Sequence, residues 1–516
     1  MLSDKRRFVS LIGSVVIALS AGSTYVFSSY APQVQHRLHL SGMQINVLAL
    51  ASNIGLYISG PPWGGFVDKH GAHGAILSGA LCALVGYGLL SLVYAAKWVD
   101  APVSLLSLFM FLTGIGNQAG LCGAINVQAK SWNGRHRGTA MAVVLSAFGL
   151  SAFMYSTVSR IFFSDNVGGY LAVLAVGSCA SFFIGALMVR IVPPDERALA
   201  AERAEHDHEQ GDAPPRPISR RRRSSTDLSG DAYAYARVNR NDPDRGDPYD
   251  DPSAHDDQPS GVALLTNLDF MLLFVLLGLI SGSGLVLINN VGVITNALWD
   301  YNKRVNRVPV GLNALVSRGN KLQQVQATQV SLISVGNASG RIIIGFLSDF
   351  LVRVTDEPHS RSLLLLLVAF LALISQVVAA WPDLITNVNR LKYLSGLTGV
   401  MYGTLFGLCP VLVFEWFGMP NFSQNWGWMG WGPVIAGNVF NLLFGYIYDS
   451  HVSRKSHSHI CHLGDECYRS VFFFTSFGCL LAVVFAAVLI GRHSAGVFPR
   501  IQQVLSRIFI RRPFLH

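Results

Sequence analysis

The chain has 516 residues, 51% hydrophobic and 13% charged, with a formal charge of +9 and a mean hydropathy of +0.39. So apolar a composition, gathered in long blocks, excludes an ordinary soluble domain and indicates an all-α polytopic membrane protein. The positive charge then reports membrane topology and one loop, and gives no ground for a nucleic-acid partner.

The first apolar run follows Lys5-Arg6-Arg7 as a signal peptide would. It is long enough to span, however, and lacks a small-residue cleavage site, so it is read as a retained first helix. Twelve spans fit the hydropathy. Six lie at 8–31, 42–63, 74–96, 102–126, 138–160 and 168–191, and six at 264–298, 326–349, 361–381, 390–414, 426–448 and 470–491. The organisation is therefore an N-terminal segment 1–7, a six-helix bundle 8–191, a linker 192–263, a second bundle 264–491 and a basic tail 492–516.

The linker mixes acidic clusters with Arg220-Arg221-Arg222-Arg223-Ser224-Ser225 and with aspartates among prolines. It cannot bury enough apolar area to offset ordering, which predicts a disordered tether. Phosphorylation of Ser224 and Ser225, or contact of the arginines with anionic lipid, are the sharper readings. With the N-terminus in the cytosol, that side receives roughly twice the Lys and Arg of the other, in the sense of the positive-inside rule. The 298–325 loop, with Lys303, Arg304, Arg307, Arg318 and Lys321, runs against it.

The two sixes repeat. The second helix ends with Ser59-Gly60 and Gly64-Gly65-Phe66-Val67-Asp68-Lys69-His70-Gly71. The eighth ends with Ser339-Gly340 and Gly345-Phe346-Leu347-Ser348-Asp349. Gly-x-x-x-Asp at the second helix of each half, around a hydrophilic middle loop, resembles the major facilitator superfamily. Within it, Tyr25-Val26-Phe27-Ser28-Ser29-Tyr30, Asn289-Asn290, Glu415-Trp416-Phe417-Gly418, Asn425-Trp426-Gly427 and Cys461-His462-Leu463-Gly464-Asp465-Glu466-Cys467-Tyr468 resemble the nodulin-like branch. They are most similar to its fungal monocarboxylate-transporter homologues of the vacuolar membrane.

The resemblance implies that Asp68 approaches the start of helix 11, near Asn425 and Trp426, and that Asp349 serves helix 5 near Arg135, Arg137 and Gly138. A carboxylate at a helix start meets unpaired N–H groups and a positive dipole end. Gly64, Asp68, Lys69, Gly71, Gly345 and Asp349 are thus the expected gating motif. Ala72 and His73 stand where the fuller motif carries basic residues, which weakens its charge relay.

Arg341 is the main chemical signal. It lies about 12 Å along the helix from Asp349, well inside a bilayer core about 30 Å thick. No span offers an Asp, Glu, Lys or His near the midplane to pair with it; Asp269 and Glu415 sit near span ends. An anionic substrate, a structural or gating role, or a position nearer water all remain open. The spacing Asn337-x-x-x-Arg341-x-x-x-Gly345 resembles helix 8 of monocarboxylate transporters, where an acid occupies the place of Asn337. That implies a carboxylate ligand without the proton-coupling acid.

Superfamily architecture implies a central cavity between helices 1, 4, 7 and 10. Its polar candidates are Ser23, Thr24, Tyr25, Asn117, Gln118, Asn126, Ser281, Ser283, Asn289, Asn290 and Tyr402, each of which can equally serve as an interhelical hydrogen-bonding group. In the 449–469 loop, Cys461 and Cys467 can form a disulfide, stay free, or join His451, His457, His459 and His462 around a metal. No phosphate-binding loop, zinc-protease helix or nucleophile elbow is present, so no enzyme, nucleotide or other cofactor is expected.

The expectation is a monomeric secondary transporter of small organic anions, monocarboxylates among them, in a vacuolar membrane with both termini cytosolic. A carrier of neutral or cationic solutes, or a non-transporting sensor or scaffold, are the alternatives. Deleting residues 195–260 separates the last. A transporter keeps its flux in sealed vesicles, whereas a scaffold that works through the linker loses its function.

Overall fold

The computed structural model describes residues 2–40, 42–98, 100–132, 134–163, 166–192, 261–305, 312–355, 357–451, 461 and 463–493. The arginine run, Ser224, Ser225 and almost all of the expected tether lie outside them, as do His457, His459 and His462. Among the described residues the chain is helical throughout, without strands.

The first half consists of α1 (Leu2–Ala21), α2 in two pieces (Gly42–Ile58 and Gly60–His70), α3 (Ala72–Ala96), α4 (Val103–Ser131), α5 (Gly134–Phe162) and α6 (Val167–Met188). The second consists of α7 (Leu268–Val305), α8 (Leu312–Thr355), α9 (Leu364–Ala380), α10 (Val388–Phe417), α11 in two pieces (Phe422–Met429 and Trp431–Ser450) and α12 (Arg469–His493). A 3₁₀ segment, Gly22–Ser29, continues α1 and is followed by the short helix Ala31–Arg37. Among the described residues ten helices are long and apolar enough to cross a membrane. The other two, α2 and α11, are the split ones.

The splits and the helix lengths differ from the sequence expectation. Helix α2 breaks before Gly60-Pro61-Pro62, where two prolines withhold their N–H groups and Ser59 Oγ turns back to the Gly55 carbonyl at 2.6 Å. Helix α11 breaks at Gly430, three residues before Pro433, for the same reason. The stretch 298–325, expected as a loop, is mostly helix, because α7 continues to Val305 and α8 begins at Leu312. At 44 residues α8 is about 66 Å long, twice the apolar thickness of a bilayer. Helix satisfies its own backbone in water as well as in lipid, so hydropathy marks where the apolar face ends and not where the helix does.

Side chains such as Leu81, Leu92, Leu187, Phe473 and Leu442 are exposed around the bundle, as lipid-facing residues must be. Inside, helices meet through small residues. A Cβ on Gly403 of α10 would stand 2.2 Å from the Asn337 carbonyl oxygen, so α8 and α10 pack backbone to backbone there. Polar groups inside the first half tie α1 to α4. Asn117, fully buried, donates to Thr24 Oγ1 at 2.6 Å and Ser23 Oγ at 3.1 Å, and Tyr87 donates to the same Ser23 oxygen at 3.1 Å. At the far end of the second half, Cys461 and Cys467 are joined as a disulfide ahead of α12.

Replacing Asn117 by Leu strips the buried Thr24 hydroxyl of its donor and leaves Ser23 with Tyr87 alone. The variant is expected to lose about 1–3 kcal/mol of stability. A thermal melt of the purified protein in detergent reads this, and an unchanged midpoint would refute the structural role.

Candidate functional site

Helix α8 carries Arg341 into the space between the halves, and the glycines of α10 let it lie there. The α-carbon of Arg341 would stand 3.0 Å from a Cβ on Gly407. Arg341 is 3% exposed. Arg341 Nε donates to Asn337 Oδ1 at 3.1 Å, one turn back on α8, and Nη1 donates to the Leu145 carbonyl of α5 in the other half. Phe148 and Phe406 present their rings at 5.9 and 5.8 Å from Cζ. Its polar neighbours are the hydroxyls of Tyr25, Tyr57 and Tyr402. Arg341 has no ion pair among the described residues.

The tyrosines form one group. Tyr25 and Tyr57 hydroxyls are 3.2 Å apart, the Tyr25 ring meets Phe148 edge-on at 5.6 Å, and the Tyr402 ring lies 4.8 Å from Phe406. Tyr25 is 42% exposed although it sits deep within the bundle, which places it on the wall of an internal space.

Of the residues singled out in the sequence, Arg341, Asn337, Tyr25 and Tyr402 come together here. Others are engaged elsewhere. Asn117 serves Ser23 and Thr24, as above. Asn290 Nδ2 donates to Asn441 Oδ1 of α11 at 2.8 Å, while Asn289 is exposed. Ser281 and Ser283 donate to carbonyls of their own helix. Gln118 lies beside Gly60. Tyr57, Phe148 and Phe406 were not anticipated, because an aromatic in an apolar run carries no local signal of what it faces.

Below Arg341 the halves are closed against each other on the face where the chain begins. Asp68, at the end of α2, accepts from the amides of Ser423 at 3.3 Å and Gln424 at 2.9 Å, in the first turn of α11. Asp349, at the end of α8, accepts from Gly138 N at 3.0 Å and Thr139 N at 2.7 Å near the start of α5. A Cβ on Gly64 would stand 2.2 Å from the Ser423 carbonyl oxygen, so the broken helices cross at backbone distance. Gly345 packs as tightly on Ala142. Gly71 closes α2 at φ +86°, a left-handed value that suits glycine, and Lys69 is exposed. The seam between α5 and α8 continues through Ser146, which donates to the Ala338 carbonyl at 2.9 Å, and ends at Arg341.

The two acid contacts are built differently. Asp349 is paired at 2.7 Å with Arg361, a fully buried residue of the 3₁₀ segment Pro358–Leu363, and Arg361 also pairs with Glu415 of α10 and donates to Ser348 Oγ at 3.0 Å. Asp68 instead accepts from the amide of Asn126 at 2.9 Å, which reaches Ser423 Oγ at 2.5 Å as well. Asn126, expected at the central cavity, therefore lies at this seam. Its place on α4 is some two turns nearer the closed face than Asn117, which is why the two amides serve different ends of the helix. Glu415 is the charge noted in the sequence near a span end; Arg361 was not anticipated.

The profile of the Major Facilitator Superfamily matches residues 13–295. The chain is 26% identical to a protein of Gibberella zeae named Probable transporter MCH1, covering 92% of this chain and 88% of that one. It is 25% identical to an uncharacterized membrane protein of Saccharomyces cerevisiae, covering 93% and 94%. Among solved structures it resembles the proton:xylose symporter XylE, with a TM-score of 0.56 at 12% identity over 92% of this chain and 95% of that one.

Replacing Arg361 by Gln leaves Asp349 and Glu415 buried side by side without their cation, and is expected to cost about 3–5 kcal/mol. Glu415→Gln keeps the Arg361–Asp349 pair and is expected to cost no more than about 1–2 kcal/mol. Thermal unfolding of the two variants in one detergent checks the order, and equal losses would count against the triad.

Proposed function

We propose that this chain, which belongs to the major facilitator superfamily, carries a small organic anion across a membrane by alternating access between its two six-helix halves. Transmembrane transport of a small molecule is what the family and the named relatives support; the anion is our reading. One observation carries it. Arg341 holds a buried positive charge at the inner end of the closed seam, with dipoles and aromatic rings around it and no carboxylate beside it among the described residues. A carboxylate supplies the missing charge and meets the guanidinium's fork geometry. A monocarboxylate needs one such partner.

In this reading the structure is the state closed at the Asp68–Asp349 face. Substrate enters from the opposite face, binds Arg341, and leaves when the two acid contacts and the seam part. The distribution of Lys and Arg supports a cytosolic closed face with both termini there, and likeness to the fungal branch supports the vacuolar membrane. Asn337 is an amide and cannot carry a proton, so the Arg341–Asn337 pair supplies no proton-coupling step.

A second reading has one observation in its favour. Two of the guanidinium's donors are already used by Asn337 and by Leu145 of the other half, as a structural arginine would use them. The transported solute would then be neutral or cationic.

Uptake of pyruvate into sealed proteoliposomes separates the two. Arg341→Gln is expected to lower the rate at low substrate by at least about tenfold, and Arg341→Lys to retain part of it. Normal uptake by the Gln variant would sink the anion reading. In the same vesicles Asp68→Asn is expected to slow flux without reducing the amount of inserted protein.

A further inference from the structure

Around Arg341 the aromatic side chains come from both halves and in pairs. Tyr25 and Phe148, edge to face at 5.6 Å, belong to the first half. Tyr402 and Phe406, 4.8 Å apart, belong to the second. Both phenylalanines stand within 6 Å of the guanidinium carbon, the range in which a cation is attracted to a ring face. The hydroxyl contact between Tyr25 and Tyr57 fixes the one ring that is openly accessible.

A short acid would satisfy the charge and leave the exposed Tyr25 ring and the partly buried Phe406 ring uncovered. A carboxylate attached to a flat apolar body would satisfy the charge and cover the rings. Taking the anion reading as its premise, we infer that the Arg341 site is an aromatic slot whose preferred substrates are aromatic carboxylates. The guanidinium holds the carboxylate, and the Tyr25–Phe148 and Tyr402–Phe406 pairs flank the planar body from opposite halves. Nη2 of Arg341 makes no hydrogen bond among the described residues and is the donor that an incoming carboxylate meets first. Because each half contributes one pair, a planar body between them also gives the halves something to close upon.

The test is equilibrium binding to the purified full-length protein in detergent near neutral pH, by calorimetry, with three probes. Pyruvate has the acid alone, phenylpyruvate the same acid with a phenyl ring, and phenylacetone the ring without the acid. Phenylpyruvate is expected to bind at least about tenfold more tightly than pyruvate. Phe148→Leu and Phe406→Leu, which keep apolar bulk and remove the ring, are expected to narrow that gap more than they weaken pyruvate. Should one variant fail to fold, the other and the wild-type comparison still decide. Equal affinity for pyruvate and phenylpyruvate would overturn the slot and leave the anion reading standing. Phenylacetone binding as tightly as phenylpyruvate would overturn the anion reading and the slot with it. Failure of all three probes at millimolar concentration counts against both.

Discussion

A guanidinium enclosed among membrane helices is the constraint on which much of this structure depends. Arg341 is held by an amide, a carbonyl and aromatic faces, all of them dipoles or quadrupoles, and by no opposite charge among the described residues. Such groups solvate a cation without neutralising it, which is the basis of the proposed anion site. The packing serves that end. Close approach of α10 at Gly403 and Gly407 seats α8 deeply enough for its arginine to reach α5. Asn337, beside the same glycine contact, turns its oxygen to Nε. A carboxylate built permanently at this place would cancel the charge on which the proposed anion site rests.

The closed face shows the opposite solution to a similar problem. Asp349 is almost fully buried and carries a charge that the α5 amides only partly satisfy, and there the protein supplies a full counter-ion in Arg361. Glu415 then balances the arginine, so the triad carries one net negative charge directed at a helix start. Asp68, half-buried, accepts from neutral donors of Asn126 and α11, and its cation, Lys130, acts through space without a direct ion pair among the described residues. The repeat has therefore kept the geometry of the two contacts and not their electrostatics. The contact made by Asp349 is the stiffer one, because breaking it disturbs a buried network. Asp68 releases hydrogen bonds that water can replace and no direct ion pair among the described residues.

What could be read from the sequence follows from what was encoded locally. Apolar blocks located the twelve spans, whereas the helix starts that the repeated acids approach were implied by the family resemblance and not by anything local to Asp68 or Asp349. The proline breaks in α2 and α11 were written in Pro61-Pro62 and Pro433, but hydropathy smooths over them. Arg361 and Glu415 stood in plain view as charges near span ends; their meeting 54 residues apart is a tertiary fact. The aromatic wall is the least legible part. Tyr57, Phe148 and Phe406 belong to three different helices, and nothing in the neighbourhood of any of them distinguishes a ring facing Arg341 from one facing lipid.

The reach of Arg341 across the seam joins the site to the closed face. Its bond to the Leu145 carbonyl, and the Ser146 bond to the Ala338 carbonyl beside it, connect α5 of one half to α8 of the other just above the Asp349 contact. Parting the halves on that face must break them. A hydrogen bond from a charged donor is worth about 1.5–3 kcal/mol, so losing it uncompensated shifts the balance of the two states by about ten- to a hundredfold. An anion on the guanidinium offers the donor another acceptor, and the cost of parting falls by what the anion returns. On the proposed anion reading, the donor that holds the empty carrier shut on that face is the one the substrate would engage, and occupancy and gating would be coupled through one side chain.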